Sequence, residues 1–467
     1  MTPLDTYIVN ISLPTMAADF NVGISLVSRV VLVYLLILTS TILLFGKLGD
    51  RIGLIRVLIS GFVVFTFGSL LCGLSRSLPQ LIGARCIQAL GGAMLYAITP
   101  GIIPRYLPPT MRGAAFGILT TSAALGVSLG APLGGLITAY LSWHWIFLIN
   151  IPFGIMAILV IHKVFPPEPA RVERRERFRF DIMGVALNFF GLCTLLYALN
   201  MGQEHGWTSP LITGCFTAAA IFLTSFILWE TRCRDPLLAL GLFRNRYFTT
   251  ANLANLLAFM FMAGNGFLLP FYLIHAQGLR TDQAGLFMML FSVTLMIIGP
   301  LAGRLSDRGS PRLFCIAGMA SATLASLVFA LVLGMTGLWL AAACIIWMGF
   351  SYGVFVSPNN SQVMSWADSH HQGIASGVLK MTANLGQAIG VCLFETVFSQ
   401  CLPPGIPMTD AAGSFLALGS SVAFRNAYVM GSLVCASALI ASLLARDRRQ
   451  PSADAPESFA EFREGPT

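Results

Sequence analysis

The sequence predicts an all-α integral membrane protein of about fourteen spans, arranged as two six-helix bundles with two helices inserted between them. Three observations carry that prediction. Of 467 residues, 56% are hydrophobic and only 10% are charged, whereas a soluble domain carries roughly a quarter charged residues. So few charges cannot cover a water-facing surface of this size, and the same numbers exclude disordered, collagen-like and coiled-coil chains. The apolar residues also come as long runs, such as Val30 to Phe45, Ile59 to Leu71 and Leu211 to Trp229. Runs near 20 residues cross a bilayer as helices that satisfy their own backbone hydrogen bonds, while a barrel would show alternating stretches of about ten. Finally, the chain repeats itself. Gly46-Lys47-Leu48-Gly49-Asp50-Arg51 returns as Gly303-Arg304-Leu305-Ser306-Asp307-Arg308, and Gly113, Gly117, Gly126 and Gly130 return as Gly373, Gly377, Gly386 and Gly390.

Taken in order, the spans fall at about 3–18, 25–46, 57–74, 79–102, 114–140 and 145–163, then 182–200 and 210–229. The last six fall at about 247–273, 284–303, 313–334, 338–358, 373–399 and 424–445. The first is short, because only about sixteen apolar positions remain around Asp5, fewer than a crossing helix needs. It has neither the basic n-region nor the small-residue cleavage site of a signal peptide, so a truncated first helix with its true start upstream of Met1 is expected. The domains follow from these spans. Residues 1–163 form the N-terminal bundle, 164–180 a basic cytoplasmic linker, and 181–230 the two inserted helices. Residues 231–446 form the C-terminal bundle with its leading cytoplasmic loop, and 447–467 a polar tail expected to be disordered.

The net charge of +8 is a matter of topology. Alternate loops, here counted to include Lys380, hold twenty-three of the twenty-eight basic residues, and the opposite loops hold Arg29, Arg76, Arg280 and Arg425. Arg85 lies inside a span. An excess of Lys and Arg marks cytoplasmic loops, which puts the C-terminal tail in the cytoplasm. With the basic residues spread in this way no nucleic-acid surface is expected. The ten cysteines are scattered, with no C-x-x-C pair, so neither a disulfide framework nor a metal cluster is expected. Nothing resembles a phosphate-binding loop, and no nucleophile–base constellation points to an enzyme. Duplicated helical halves are instead the mark of secondary transporters, which bind substrate near the bilayer midplane between the halves.

Several motifs resemble those of a known family. Leu4-Asp5-Thr6-Tyr7-Ile8-Val9-Asn10-Ile11-Ser12-Leu13-Pro14 resembles the first-span motif of the fourteen-span drug:proton antiporters, a branch of the major facilitator superfamily. Gly46 to Gly53 is similar to the superfamily's loop 2–3 motif, and Arg85-Cys86-Ile87-Gln88-Ala89-Leu90-Gly91-Gly92 to its fourth-span motif. Gly126-x-x-x-Gly130-Ala131-Pro132-x-Gly134-Gly135 is similar to the fifth-span antiporter motif, and Ser142 to Pro152 to the segment entering span six. The likeness covers essentially the whole chain and implies the major facilitator fold and proton-coupled export of small molecules.

The candidate residues follow from the scarcity of charge. Asp5 is a carboxylate inside a span, where ionisable groups usually face the interior and often carry protons; the plainer alternative places it at the interface. Arg85 and Gln88 are spaced i, i+3 and share a helix face. Asp5 is a plausible acceptor for Arg85, and backbone carbonyls are the alternative. The resemblance makes Arg85 a modulator of proton binding at Asp5. Glu395 stands where the repeat of Gly135 would fall and is either a second proton or substrate site or a solvated group near the outer end of its span. Asp5, Asn10, Gln88 and Glu395 are the candidate substrate contacts. Gly126, Gly130 and Gly134 form a bare stripe that permits close helix approach, and Pro132 removes a backbone hydrogen bond beside Gly135. The second half has Cys392 in place of Pro132, and Ala383 falls where many relatives carry arginine. Gly46, Gly49 and Gly53 are read as allowing a tight turn, with Asp50 capping the third span. The resemblance makes Asp50, Arg51, Asp307 and Arg308 a conformational latch between the halves.

The expected function is export of small amphipathic or cationic compounds in exchange for protons. The alternatives are a dedicated exporter of one metabolite (an amino acid, siderophore or antibiotic) and a non-transporting receptor or scaffold of the same fold. The expected partners are a small-molecule substrate, protons and the lipid bilayer of a bacterial inner membrane. Both a monomer and a complex with an envelope-spanning export partner stay open, and no cofactor or metal is called for.

Overall fold

The computed structural model describes every residue except 1, 23, 28, 166–180, 234–235, 280, 334–336, 369–370, 402–417 and 446–467. The predicted linker and the predicted tail therefore lie largely outside the described residues. Fourteen long helices are described. The first six are α1 (Thr2–Asp19), α2 (Arg29–Ile52), α3 (Leu54–Gly73), α4 (Leu78–Tyr106), α5 (Pro109–Tyr140) and α6 (Asn150–Val164). The inserted pair is α7 (Ile182–His205) and α8 (Pro210–Glu230). The last six are α9 (Arg246–Phe271), α10 (Thr281–Arg308), α11 (Pro311–Val332), α12 (Leu338–Ser365), α13 (Gln372–Gln400) and α14 (Leu418–Leu444). Among the described residues, thirteen helices are long and apolar enough to cross a membrane. The fourteenth helix, α1, is eighteen residues long and falls outside that set.

The helices outrun the apolar windows at the end of the bundle that carries the basic loops, called the basic end below. α2, α4, α10 and α12 continue to Ile52, Tyr106, Arg308 and Ser365, because backbone hydrogen bonding does not stop where the hydrocarbon does. Two expectations change as a result. Gly46 and Gly49 lie inside α2 rather than in a turn, and only Gly53, at φ 105°, makes the turn into α3. That left-handed region is open to glycine and strained for other residues. Lys380, counted from sequence among the loop charges, lies inside α13.

The two six-helix units pair their helices alike. α1 packs on α5 as α9 packs on α13; α2 packs on α4 as α10 packs on α12; α3 packs on α4 as α11 packs on α12. Glycines set these approaches. A Cβ on Gly126 would meet the backbone of Leu4 in α1, and one on Gly386 or Gly390 would strike the backbone of α9 at Leu256 or Met260. A stripe of small residues thus does one job twice, letting two backbones come together. Gly130 and Gly134 are buried, and Gly135 has open space beside it. The helix runs unbroken through position 132, where the side chain of Pro132 lies outside the described residues. The inserted helices pack on each other, and α7 also touches α2 and α13, one helix from each unit.

Candidate functional site

Asp5 and Arg85 meet in the interior of the first unit, and neither side chain has any solvent exposure. Arg85 donates from Nη1 to Asp5 Oδ2 at 2.6 Å and to Gln88 Oε1 at 2.6 Å. The other carboxylate oxygen of Asp5 accepts from Gln88 Nε2 at 3.0 Å and from Asn150 Nδ2 at 3.2 Å. Gln88 Nε2 also donates to Ser69 Oγ at 2.8 Å, and Cys72 Sγ donates to Gln88 Oε1 at 3.7 Å. Residues from α1, α3, α4 and α6 therefore share one closed network. The Arg85 guanidinium lies 4.3 Å from the ring centroid of Tyr34 and 5.4 Å from that of Phe147, so a cation in an apolar place faces π-systems as well as a carboxylate. Two atoms of the cluster, Arg85 Nη2 and the Tyr34 hydroxyl, are buried without a partner.

Of the two readings of Asp5, the geometry is that of the buried one, and Arg85 has the carboxylate rather than backbone carbonyls as its main partner. Gln88 is sealed between α3 and α4, where a Cβ on Gly68 would strike its backbone. Asn10 lies on α1 with its side chain outside the described residues. Glu395 is not part of this cluster. It lies half-buried on α13, five residues from that helix's end and in the other unit. Asn150, Ser69 and Tyr34 were missed. Asn150 at least falls inside the quoted Ser142–Pro152 segment, while a serine and a tyrosine in apolar runs carry no sequence signal.

The second constellation closes the basic end. Both oxygens of Asp50 accept backbone hydrogen bonds at the start of α13, from Gly373 at 2.6 Å and Ile374 at 2.8 Å. Both oxygens of Asp307 do the same at the start of α5, from Gly113 at 2.6 Å and Ala114 at 2.9 Å. Asp50 thus caps a helix of the opposite unit instead of α3, whose start has no side-chain cap. The reason is direction: Asp50 belongs to the last turn of α2, which carries it toward α13. Gly373 and Ile374 are the second and third residues of α13, where N–H groups are free and the helix dipole is positive, while Gly113 and Ala114 lie in the second turn of α5; each unit thus docks a charge on the other. The glycines make room for it. A Cβ on Gly46 would meet Gly373 O, and one on Gly113 would strike Gly303 O. Arg51 and Arg308 are exposed at the rim. Further cross-unit bonds run from Ser357 Oγ to Gly113 O at 2.8 Å, from Thr121 Oγ1 to Met296 O at 2.8 Å, from Asn384 Nδ2 to Thr39 Oγ1 at 3.2 Å, and from Ser376 to Ala97 O.

A third cluster was not foreseen. Glu230, at the end of α8, accepts from the backbone N–H groups of Leu237 and Leu238 at 3.2 and 3.0 Å. Asp181 caps α7 through Gly184 N at 2.8 Å and accepts from Trp229 Nε1 at 2.8 Å. These bonds tie the inserted pair to the segment that leads into α9. Leu237 and Leu238 pack there in one buried cluster with Leu43, Phe116 and Ile374.

No group of three or more His, Cys, Asp or Glu side chains able to hold a metal occurs among the described residues. The model of the Major Facilitator Superfamily matches residues 1–391. The chain is 34% identical over 440 residues to the riboflavin transporter RibZ of Clostridioides difficile, covering 94% of this chain and 93% of that one. It is 30% identical over 394 residues to the putative multidrug resistance protein MdtD of Serratia proteamaculans, covering 84% and 81% of the two chains. The crystal structure of the human organic anion transporter MFSD10 superposes with a TM-score of 0.64 at 13% identity over 94% of this chain, which speaks to the fold. A family match over most of the length, two alike six-helix units and fourteen helices in one bundle lead to one conclusion: the chain is a multi-pass membrane transporter of the major facilitator superfamily.

Proposed function

We propose that the chain exports small amphipathic compounds in exchange for protons, from the cytoplasm across a bacterial inner membrane, with the basic end facing the cytoplasm. The observation that carries this reading is the fully buried Asp5–Arg85 pair. A carboxylate held by an arginine and two amides loses the charge that the arginine binds when it takes up a proton, so protonation and helix arrangement are linked. Protonating Asp5 removes its attraction for Arg85 and loosens α1 against α4; ionised Asp5 restores it. Exchange then requires that substrate and proton each bind one arrangement of the units better than the other. The contacts of Asp50 and Asp307 supply one of those arrangements, with the basic end shut. The MdtD relative supports a broad substrate range.

The test is substrate-driven proton flux in everted membrane vesicles. Asp5→Asn is expected to lower coupled flux at least tenfold while the protein still inserts and binds substrate. Unchanged coupling in that variant would remove Asp5 from the mechanism. A second reading, a dedicated exporter of one metabolite, is supported by the riboflavin transporter, which aligns over 94% of this chain. Transport of one compound alone from a chemically varied panel favours that reading.

A further inference from the structure

Lys380 stands apart from the motifs and from the Asp5–Arg85 network. It is the ninth residue of α13, and its ammonium lies 4.6 Å from the ring centroid of Tyr96 in α4, across the junction of the two units. Tyr96 is ten residues from the basic end of α4, about 15 Å along the helix axis. The part-exposed lysine side chain thus runs across the junction to Tyr96. Among the described residues the Lys380 ammonium meets neither a carboxylate nor a hydrogen-bond acceptor. An ionised lysine within a span is expensive, and a ring face offsets only part of that cost.

The helix places this charge on a lined wall. Gly386 and Gly390 turn toward α9, so the opposite face of α13 looks at the first unit. Lys380 and Asn384 lie on that face one turn apart, and Asn384 reaches Thr39 of α2. Glu395 is eleven residues beyond Asn384, three turns on along the same face. On α4, Arg85 and Tyr96 are also eleven residues apart and so share a face, about 16 Å from each other. The Asp5–Arg85 pair is enclosed within the first unit, and the Lys380–Tyr96 contact lies on the junction of the two units, three turns along the same helix.

We infer that Lys380 and Tyr96 form a substrate subsite for the acidic group of an aromatic amphipath, such as a carboxylate, sulfonate or deprotonated imide. Tyr96 holds the ammonium when the site is empty. An anionic group replaces it as the partner of Lys380 and frees the ring face to stack on the flat part of the ligand. This subsite names the substrate class of the exporter proposed above and rests on that reading for the direction of transport only.

The experiment is equilibrium binding to the purified full-length protein of two xanthene dyes with similar rings and opposite charge: fluorescein, an anion, and rhodamine 6G, a cation. The protein is expected to bind fluorescein more tightly. Lys380→Gln should weaken fluorescein at least tenfold and leave rhodamine 6G within about twofold, while Lys380→Arg retains most of the affinity. Equal affinity of the parent for both dyes, or a loss in Lys380→Gln shared by both, overturns the assignment. Binding needs no proton gradient, so failure here is distinct from failure of coupled flux in vesicles.

Discussion

Asp5 accepts from three side chains, and no described atom of that carboxylate is left over. Removing one member of a buried ion pair strands the other charge, which costs about 3–5 kcal/mol, whereas removing both can be nearly neutral. The pair therefore predicts a large coupling in a double-mutant cycle. Arg85→Met and Asp5→Leu should each lower the unfolding free energy by about 3 kcal/mol in detergent micelles. The double variant should lose at least 2 kcal/mol less than the sum of the two single losses. Denaturation by sodium dodecyl sulfate, followed by far-ultraviolet circular dichroism, reads both numbers, and strict additivity would mean that the pair is not energetically linked. The sequence named this pair because charges within spans are so few. It could not name Asn150, Ser69 or Tyr34, since their types are common in membrane helices and only the fold brings them to the pair.

At the scale of the element, the closure of the basic end rests on two helix N-termini and the glycines beside them. A Cβ on Gly373 would strike the backbone of Gly46 and crowd the carboxylate of Asp50, so Gly373→Ala should move α13 away from α2. The shift is expected to favour an open basic end at least tenfold, about 1.4 kcal/mol. Asp50→Asn keeps the shape but weakens both bonds to the helix start, and a smaller shift of about 1 kcal/mol is expected. Spin-label distances across the basic end measure both, and Gly83→Ala, with open space beside its Cβ, should leave them unchanged. Identical distance distributions for Gly373→Ala and the parent would count against closure through these glycines. Helix number and order were legible from the apolar runs because the bilayer sets their length. Where Asp50 docks was not, since local spacing favours a cap on the nearest helix and says nothing about the direction of α2. Lys380 shows another limit. The expected span 373–399 already contained it, and only its charge set it among the loop residues.

Across the whole molecule, repetition in sequence has become a near two-fold exchange of contacts. Asp50 of the first unit docks on α13 and Asp307 of the second docks on α5, while α4 touches α13 and α12 touches α5. The cross-unit hydrogen bonds described above run from these caps inward as far as Thr121 on α5 and Asn384 on α13, each twelve residues from the start of its helix. That distance is about 18 Å, roughly half of the membrane. One half of the depth is thus sewn together by paired bonds, and Glu395 lies beyond it. Rocking of two rigid units about such a junction is how duplicated transporters alternate access. It makes the Thr39–Asn384 contact a reporter of the closed basic end. With the ten native cysteines replaced by serine, Thr39→Cys and Asn384→Cys together should join through a short bis-methanethiosulfonate linker. Joining should abolish transport in vesicles, and reduction should restore it to at least half. A cross-linked protein that still transports at the parent rate would mean that the two units need not separate at this level during the cycle.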